Sequence, residues 1–232
     1  MRGAIFDLDG TLLDSMWIWD DAADRWLAEQ GKVPTPDLRQ KTLRMSITEA
    51  AVYLRETFSL AQSPSDIVAE IVQFALSDYA SRVKPKPGIP AFLARLRKAG
   101  VKACIATAGD HALVEAGLAH CGIADAFCGI VTCADVGKGK DTPEVYEAAL
   151  RLLGLPKAEV VVFEDAYHAA KTAKDAGFRV VGVYDASEPE ADKLRGITEL
   201  YTTDYQNLDA AVCAFDLRVA RAVTGDGLVL FQ

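Results

Sequence analysis

Short runs of apolar and β-branched residues recur along the 232-residue chain, with helical spacing between them. The runs Gly3–Leu8, Val101–Ala106, Cys128–Thr132, Val160–Phe163 and Arg179–Tyr184 predict buried strands. Strands that alternate with helical segments make a parallel sheet covered on both faces, so the expected fold class is α/β. Gly100 and Gly177 stand between helix and strand, as helix-ending glycines do. Residues 15–84 interrupt this alternation with helix-like patterns at Met16–Gln30, Ile47–Thr57 and Ser65–Val83, the last with Ser65 as its expected N-cap. Lys84-Pro85-Lys86-Pro87-Gly88 then marks the return to the sheet. The expected organisation is a sheet core at residues 1–14 and 85–216, an inserted helical lid at 15–84, and an extension at 217–232 with no clear periodicity and no assigned role.

Chemistry-bearing residues gather at the ends of these strands. Asp7 and Asp9 sit where the first strand gives way to a turn, in Asp7-Leu8-Asp9-Gly10-Thr11. Two such charges 4 Å apart oppose each other by about 4 kcal/mol at an effective dielectric of 20, so the pair calls for a cation or a catalytic use. Thr107-Ala108-Gly109-Asp110 follows the second strand and offers a hydroxyl and backbone N–H groups to phosphoryl oxygens. Lys140 precedes a helix, and Glu164-Asp165 directly follows Val160–Phe163. Singly, each has a plain reading as turn former, capping hydroxyl, solvated lysine or acidic helix start. In a parallel sheet, however, the carboxyl ends of the strands share one rim. Four carboxyl groups there need a divalent cation and an ammonium, and an all-oxygen donor set favours Mg²⁺. Such a site suits phosphoryl transfer, with a carboxylate as covalent nucleophile and a second as proton donor and acceptor.

Composition narrows the partners. A net charge of -8 argues against a nucleic-acid groove or an anionic membrane surface. The five cysteines are odd in number and lack Cys-x-x-Cys spacing, and read as buried thiols of a reducing cytosol. Neither a secretory pattern nor a bilayer-length apolar run is evident, so a cytoplasmic location is expected. A monomer or weak homodimer is the expected state, which the sequence itself does not fix. No Gly-x-x-x-x-Gly-Lys phosphate loop is present.

The ordered set Asp7-Leu8-Asp9-Gly10-Thr11, Thr107, Lys140 with Pro143-Glu144, and Glu164-Asp165 resembles the four motifs of the haloacid dehalogenase-like phosphohydrolases, over about residues 1–210. The resemblance implies a Rossmann-like core with an α-helical cap inserted after the first motif. It further implies Asp7 as nucleophile and Asp9 as general acid/base. Thr107, with Ala108 beside it, would bind the phosphoryl group, and Lys140 would stabilise its charge. Mg²⁺ would be held by Asp7, the Asp9 backbone carbonyl, and Glu164 or Asp165. The substrate would be a small phosphorylated metabolite, a sugar or polyol phosphate.

Departures from the family pattern refine this. An intact Asp9 speaks against dehalogenation. The Glu-Asp form of the last motif is similar to the β-phosphoglucomutase and sugar-phosphatase branch, but Ala166 and Ala169 replace its usual Ser and Gly. Mutases of that branch carry a His where Trp19 stands and a phosphate-gripping Arg about where Ile47 falls, so a phosphatase is expected over a mutase, with a non-catalytic phospholigand binder as the remaining alternative. Trp19, Ala22, Ala23 and Trp26 follow helical spacing and are expected in the cap's core, whereas Trp17 is expected to face the substrate. Arg44 and Lys86 are candidate further cations near the substrate.

Overall fold

The computed structural model describes residues 1–42, 45, 47–206, 208 and 228–230. Its main sheet has the order β5-β4-β1-β6-β7-β8-β9. The strands are β1 (Gly3–Phe6), β4 (Lys102–Thr107), β5 (Ile130–Thr132), β6 (Val160–Glu164), β7 (Arg179–Val183), β8 (Leu200–Thr202) and β9 (Leu228–Leu230). All pair in parallel except β9, which runs antiparallel to β8. Helices α5 (Ile89–Lys98), α6 (His111–His120), α7 (Cys133–Val136), α8 (Glu144–Leu153), α9 (Tyr167–Asp175) and α10 (Ala191–Ile197) connect the strands.

The sheet is apolar on both faces because helices cover both. Along β1, Ala4 and Phe6 belong to one core cluster and Ile5 to the other, all fully buried. Phe6 stacks on Phe163 at 4.4 Å between centroids, and Phe92 of α5 meets both rings edge-on. Each such side chain contributes about 1.5–3 kcal/mol on burial.

Residues 13–85 leave and rejoin the core through one ribbon, β2 (Leu13–Asp14) paired antiparallel with β3 (Lys84–Pro85). Between them lie four helices, α1 (Met16–Glu29), α2 (Leu38–Thr42), α3 (Ile47–Phe58) and α4 (Pro64–Ser81). This helical module has its own core of Trp26, Leu27, Leu38, Leu54 and Ile67, among others. The N-cap of α4 is Ser63 rather than Ser65. Ser63 accepts from the Asp66 N–H while Asp66 accepts from the Ser63 N–H, and Pro64 occupies the first helical turn where its missing N–H is harmless. Cys104 and Cys133 are buried free thiols, but Cys128, expected in a strand, precedes β5 and is exposed. Of the C-terminal extension only β9 lies within the described residues.

Candidate active site

Asp7 follows β1, Thr107 ends β4 and Glu164 ends β6, and the parallel register brings these three strand ends to one edge of the sheet. Ladder pairing stops at Asp7, whose N–H donates to the Phe163 carbonyl at 3.0 Å. The chain then turns tightly, with the N–H groups of Leu12 and Leu13 both donating to the Leu8 carbonyl. Gly10 makes the turn with a φ of +80, and a Cβ there would lie 2.3 Å from Asp165 Oδ2. Glycine is needed at this position both for its left-handed backbone and for its close approach to Asp165.

Asp7, Glu164 and Asp165 are buried and offer carboxylate oxygens within 4.8 Å of one another. The Lys140 ammonium reaches them from the segment between α7 and α8. It donates to Asp7 Oδ1 and, at 2.6 Å, to Glu164 Oε1. Tyr146 of α8 donates to the same Glu164 oxygen at 2.7 Å, and Thr11 donates to Asp165 Oδ1 at 2.9 Å. Three clustered carboxyl groups with all-oxygen chemistry fit a hard divalent cation. Bound there, such an ion supplies positive charge to a phosphoryl oxygen.

Asp9 is held apart from this cluster. Its Oδ1 accepts from the Ser15 hydroxyl at 2.6 Å and from the Tyr79 hydroxyl at 2.5 Å, and the Trp19 indole N–H donates to Tyr79 at 3.0 Å. Thr107 is fully buried, and its hydroxyl oxygen accepts from the Gly109 N–H at 3.0 Å. Asp110 caps α6 by accepting from the Ala112 N–H.

Burial, reinforced by the charge of Asp7, raises the Asp9 pKa to about 6. Burial also raises Glu164, to about 7 against the opposing pull of Lys140, and lifts Asp165 well above the carboxylate range. For Lys140, burial disfavours the ammonium, but the adjacent Asp7 and Glu164 outweigh it and hold its pKa above the ordinary lysine value. These opposed shifts are the signature of carboxyl groups crowded in a dry site beside a fixed cation.

A cavity of about 270 Å³ lies between the helical module and the loop after β4, with Asp9, Ala108 and Gly109 among its lining residues. Trp19, Ala22 and Ala23 line it, together with Ile47. The expectation for Trp17 is therefore corrected, whereas Trp26 fills the module's core with Trp19 and Ala23 packed against it, as expected. The apolar stripe of α1 runs from the module's core at Trp26 into the cavity wall at Trp19, so one face serves both ends. Trp17 packs instead beneath the Arg82 guanidinium, 4.7 Å from its ring, and donates to the Asp14 carbonyl. Lys86 is engaged with Asp185 at 2.5 Å and with the Tyr184 carbonyl, while Arg44 lies outside the described residues.

A family model for haloacid dehalogenase-like hydrolases matches residues 1–177. The chain belongs to this family. Among haloacid dehalogenase-like relatives, Hexitol phosphatase A of Escherichia coli (strain K12) is 31% identical over 186 residues, which cover 78% of this chain and 82% of the relative. The Phosphorylated carbohydrates phosphatase of Thermotoga maritima is 27% identical over 184 residues, covering 79% and 85%. The fold is shared with CbbY from Rhodobacter sphaeroides, crystallised in complex with phosphate, at a TM-score of 0.81 and 21% identity over 90% of this chain and 96% of that one.

One departure from the family pattern has a structural counterpart. Ala166 stands at the N-cap of α9 and has no side chain to accept a hydrogen bond, and Glu188 from the loop after β7 accepts from the Tyr167 N–H at 3.1 Å instead. Thr11, Ser15, Tyr79, Tyr146 and Glu188 were not singled out from the sequence. Thr11 and Ser15 were within reach, as hydroxyls beside the paired aspartates. Tyr79 and Tyr146 sit in helical patterns that read as core, and Glu188 carries no local signal.

Proposed function

We infer that this chain is a Mg²⁺-dependent phosphatase of a small phosphorylated metabolite, working through an aspartyl-phosphate at Asp7. It is a phosphoric monoester hydrolase of the haloacid dehalogenase-like family. Phosphorylated carbohydrates appear in the relatives' names and form the first panel to test. The observation that carries the reading is Lys140 bridging Asp7 and Glu164 beside Asp165, while Asp9 stands outside this cluster and lines the cavity.

That geometry supports the following division of roles. Asp7 attacks phosphorus and forms a new P–O bond as the ester P–O bond breaks. Asp9, with a pKa of about 6, donates its proton to the departing oxygen and afterwards takes one from the water that attacks the aspartyl-phosphate, which breaks the Asp7–phosphorus bond and frees inorganic phosphate. Lys140 supplies a fixed positive charge at Asp7 as negative charge spreads over the phosphoryl oxygens. Thr107 and the N–H groups of the loop after β4 orient the phosphoryl group. Mg²⁺ would be held by Asp7, the Asp9 carbonyl, and Glu164 or Asp165, and would offset phosphoryl charge.

Asp7→Asn tests this reading on p-nitrophenyl phosphate with Mg²⁺. Turnover is expected to vanish while the circular-dichroism spectrum is unchanged; wild-type turnover by this variant excludes covalent catalysis by Asp7. The positions where mutases of the branch carry His and Arg hold Trp19 and Ile47, and both line the cavity. Hexose 1-phosphate with a trace of bisphosphate is therefore expected to release inorganic phosphate, whereas an isomerised product would establish a mutase.

A further inference from the structure

We propose that the cavity beyond Asp9 takes the leaving alcohol of a phosphomonoester whose body is apolar, in preference to a polyhydroxylated one. This rests on the phosphatase reading and narrows its substrate class. Asp9 lines the cavity and stands two residues along the turn from Asp7, so the oxygen that Asp9 protonates would carry its organic part into that space. Met16, Trp19, Ile47, Leu54, Ile71 and Leu113 are its large apolar side chains from α1, α3, α4 and α6.

Several polar side chains of the described wall already bond within the fold. Asp110 accepts from the Ala112 N–H, the Thr42 hydroxyl donates to the Leu38 carbonyl at 3.1 Å, and the Ser187 hydroxyl donates to Asp185 at 2.6 Å. Arg39 is likewise engaged. The hydroxyls of a hexitol chain would leave water for a wall with few groups to receive them, and an unmet buried hydroxyl weakens binding by about tenfold or more. An alkyl or ring carbon placed there gains instead, about fourfold per methylene. The volume of about 270 Å³ equals that of about nine waters and suits an alcohol of roughly six carbons.

The test is kcat/KM along n-propyl, n-butyl, n-pentyl and n-hexyl phosphate against a hexitol 6-phosphate, with saturating Mg²⁺. Leaving-group basicity is nearly constant along the alkyl series, so the slope reports contacts with the cavity alone. We expect roughly a three- to fourfold gain per methylene and a hexitol phosphate at least tenfold below hexyl phosphate. Ala50→Met, which fills part of the wall, should flatten the hexyl-to-propyl ratio, with folding checked by circular dichroism. A flat series, or a hexitol phosphate preferred over hexyl phosphate, overturns the proposal and leaves the phosphatase reading standing. If these esters and p-nitrophenyl phosphate are all inert with Mg²⁺, the phosphatase reading falls. Calorimetric affinities of the Asp7→Asn protein for the same series then decide the cavity's preference, rising with chain length if it is apolar and flat if it is not.

Discussion

Replacing Gly10 by Ala tests how the turn after β1 sets the cation site. Two effects separate cleanly. The left-handed backbone at φ +80 costs an L-residue about 1–2 kcal/mol, which for a chain of this size lowers Tm by roughly 2–8 °C. Independently, the new Cβ would lie 2.3 Å from Asp165 Oδ2 and 2.7 Å from its Cγ, so the carboxyl group must move. Moving it breaks the 2.9 Å bond from Thr11, which is worth about 1.5–3 kcal/mol once the carboxyl group is ionised beside a cation. That loss corresponds to roughly a 10- to 150-fold weaker apparent Mg²⁺ affinity. The assay is phosphatase rate against Mg²⁺ concentration, with thermal melts alongside. Thr11→Val removes the hydrogen bond without the steric clash and should reproduce the affinity loss but less of the Tm loss. A Gly10→Ala protein that melts early yet keeps the wild-type half-saturating Mg²⁺ would refute the coupling between the turn and Asp165.

Lys140→Met should lower kcat by about 10²–10³-fold and destabilise the metal-free protein by about 3–5 kcal/mol near pH 8, because two buried carboxylates lose their shared cation; undiminished kcat would remove Lys140 from the charge-stabilising role. Tyr79→Phe removes a donor that lowers the Asp9 pKa, so Asp9 should stay protonated to higher pH. The alkaline limb of kcat/KM for poor leaving groups should then move up by about one unit or more, and an unmoved limb would detach Tyr79 from the acid/base group. Glu164, raised to about 7, and Asp165, raised well above its ordinary value, make the folded metal-free state bind more protons than the unfolded chain above about pH 4, and its stability falls as pH rises toward and through 7. Mg²⁺ should therefore raise Tm more at pH 7.5 than at pH 5.5, and an equal shift at both would contradict a cation among these carboxylates.

The parallel sheet was legible because strands buried on both faces read as unbroken apolar runs, as Val160–Phe163 does. The strand-end residues were legible for the opposite reason. Asp7, Glu164 and Asp165 are polar groups abutting those runs, which folding alone does not explain. Short pieces were missed. β8 and β9 have three residues each, and α2 and α7 are too brief for periodicity to register. The facing of Trp17 was misjudged, and the cavity-lining role of Trp19 went unread, because periodicity assigns residues to a stripe without saying all that the stripe meets. Trp19 and Trp26 share one, yet the first borders the cavity and the second fills the module's core. Glu188 was invisible because its partner, the Tyr167 N–H, comes from a different connection, and only the folded chain brings the two together.

The two halves of the fold hold different parts of the chemistry. Asp7, Glu164 and Asp165 stand at strand ends of a sheet whose packing fixes them, and Lys140, Tyr146 and Thr11 restrain them from core segments. Asp9 projects from the same turn, but its two hydroxyl partners come from the far side of the β2–β3 ribbon. Ser15 precedes α1, and Tyr79 sits near the end of α4, steadied by Trp19 of the cavity wall. On the proposed roles, Asp9 as proton-transfer group is thus oriented by the same module that lines the cavity. A shift of that module relative to the sheet changes the hydrogen bonds and the burial that together set the Asp9 pKa, while the cluster around Lys140 keeps its partners. Substitutions in the module should therefore act on leaving-group dependence and on the pH profile together, and those in the sheet on phosphoryl-group charge and cation affinity.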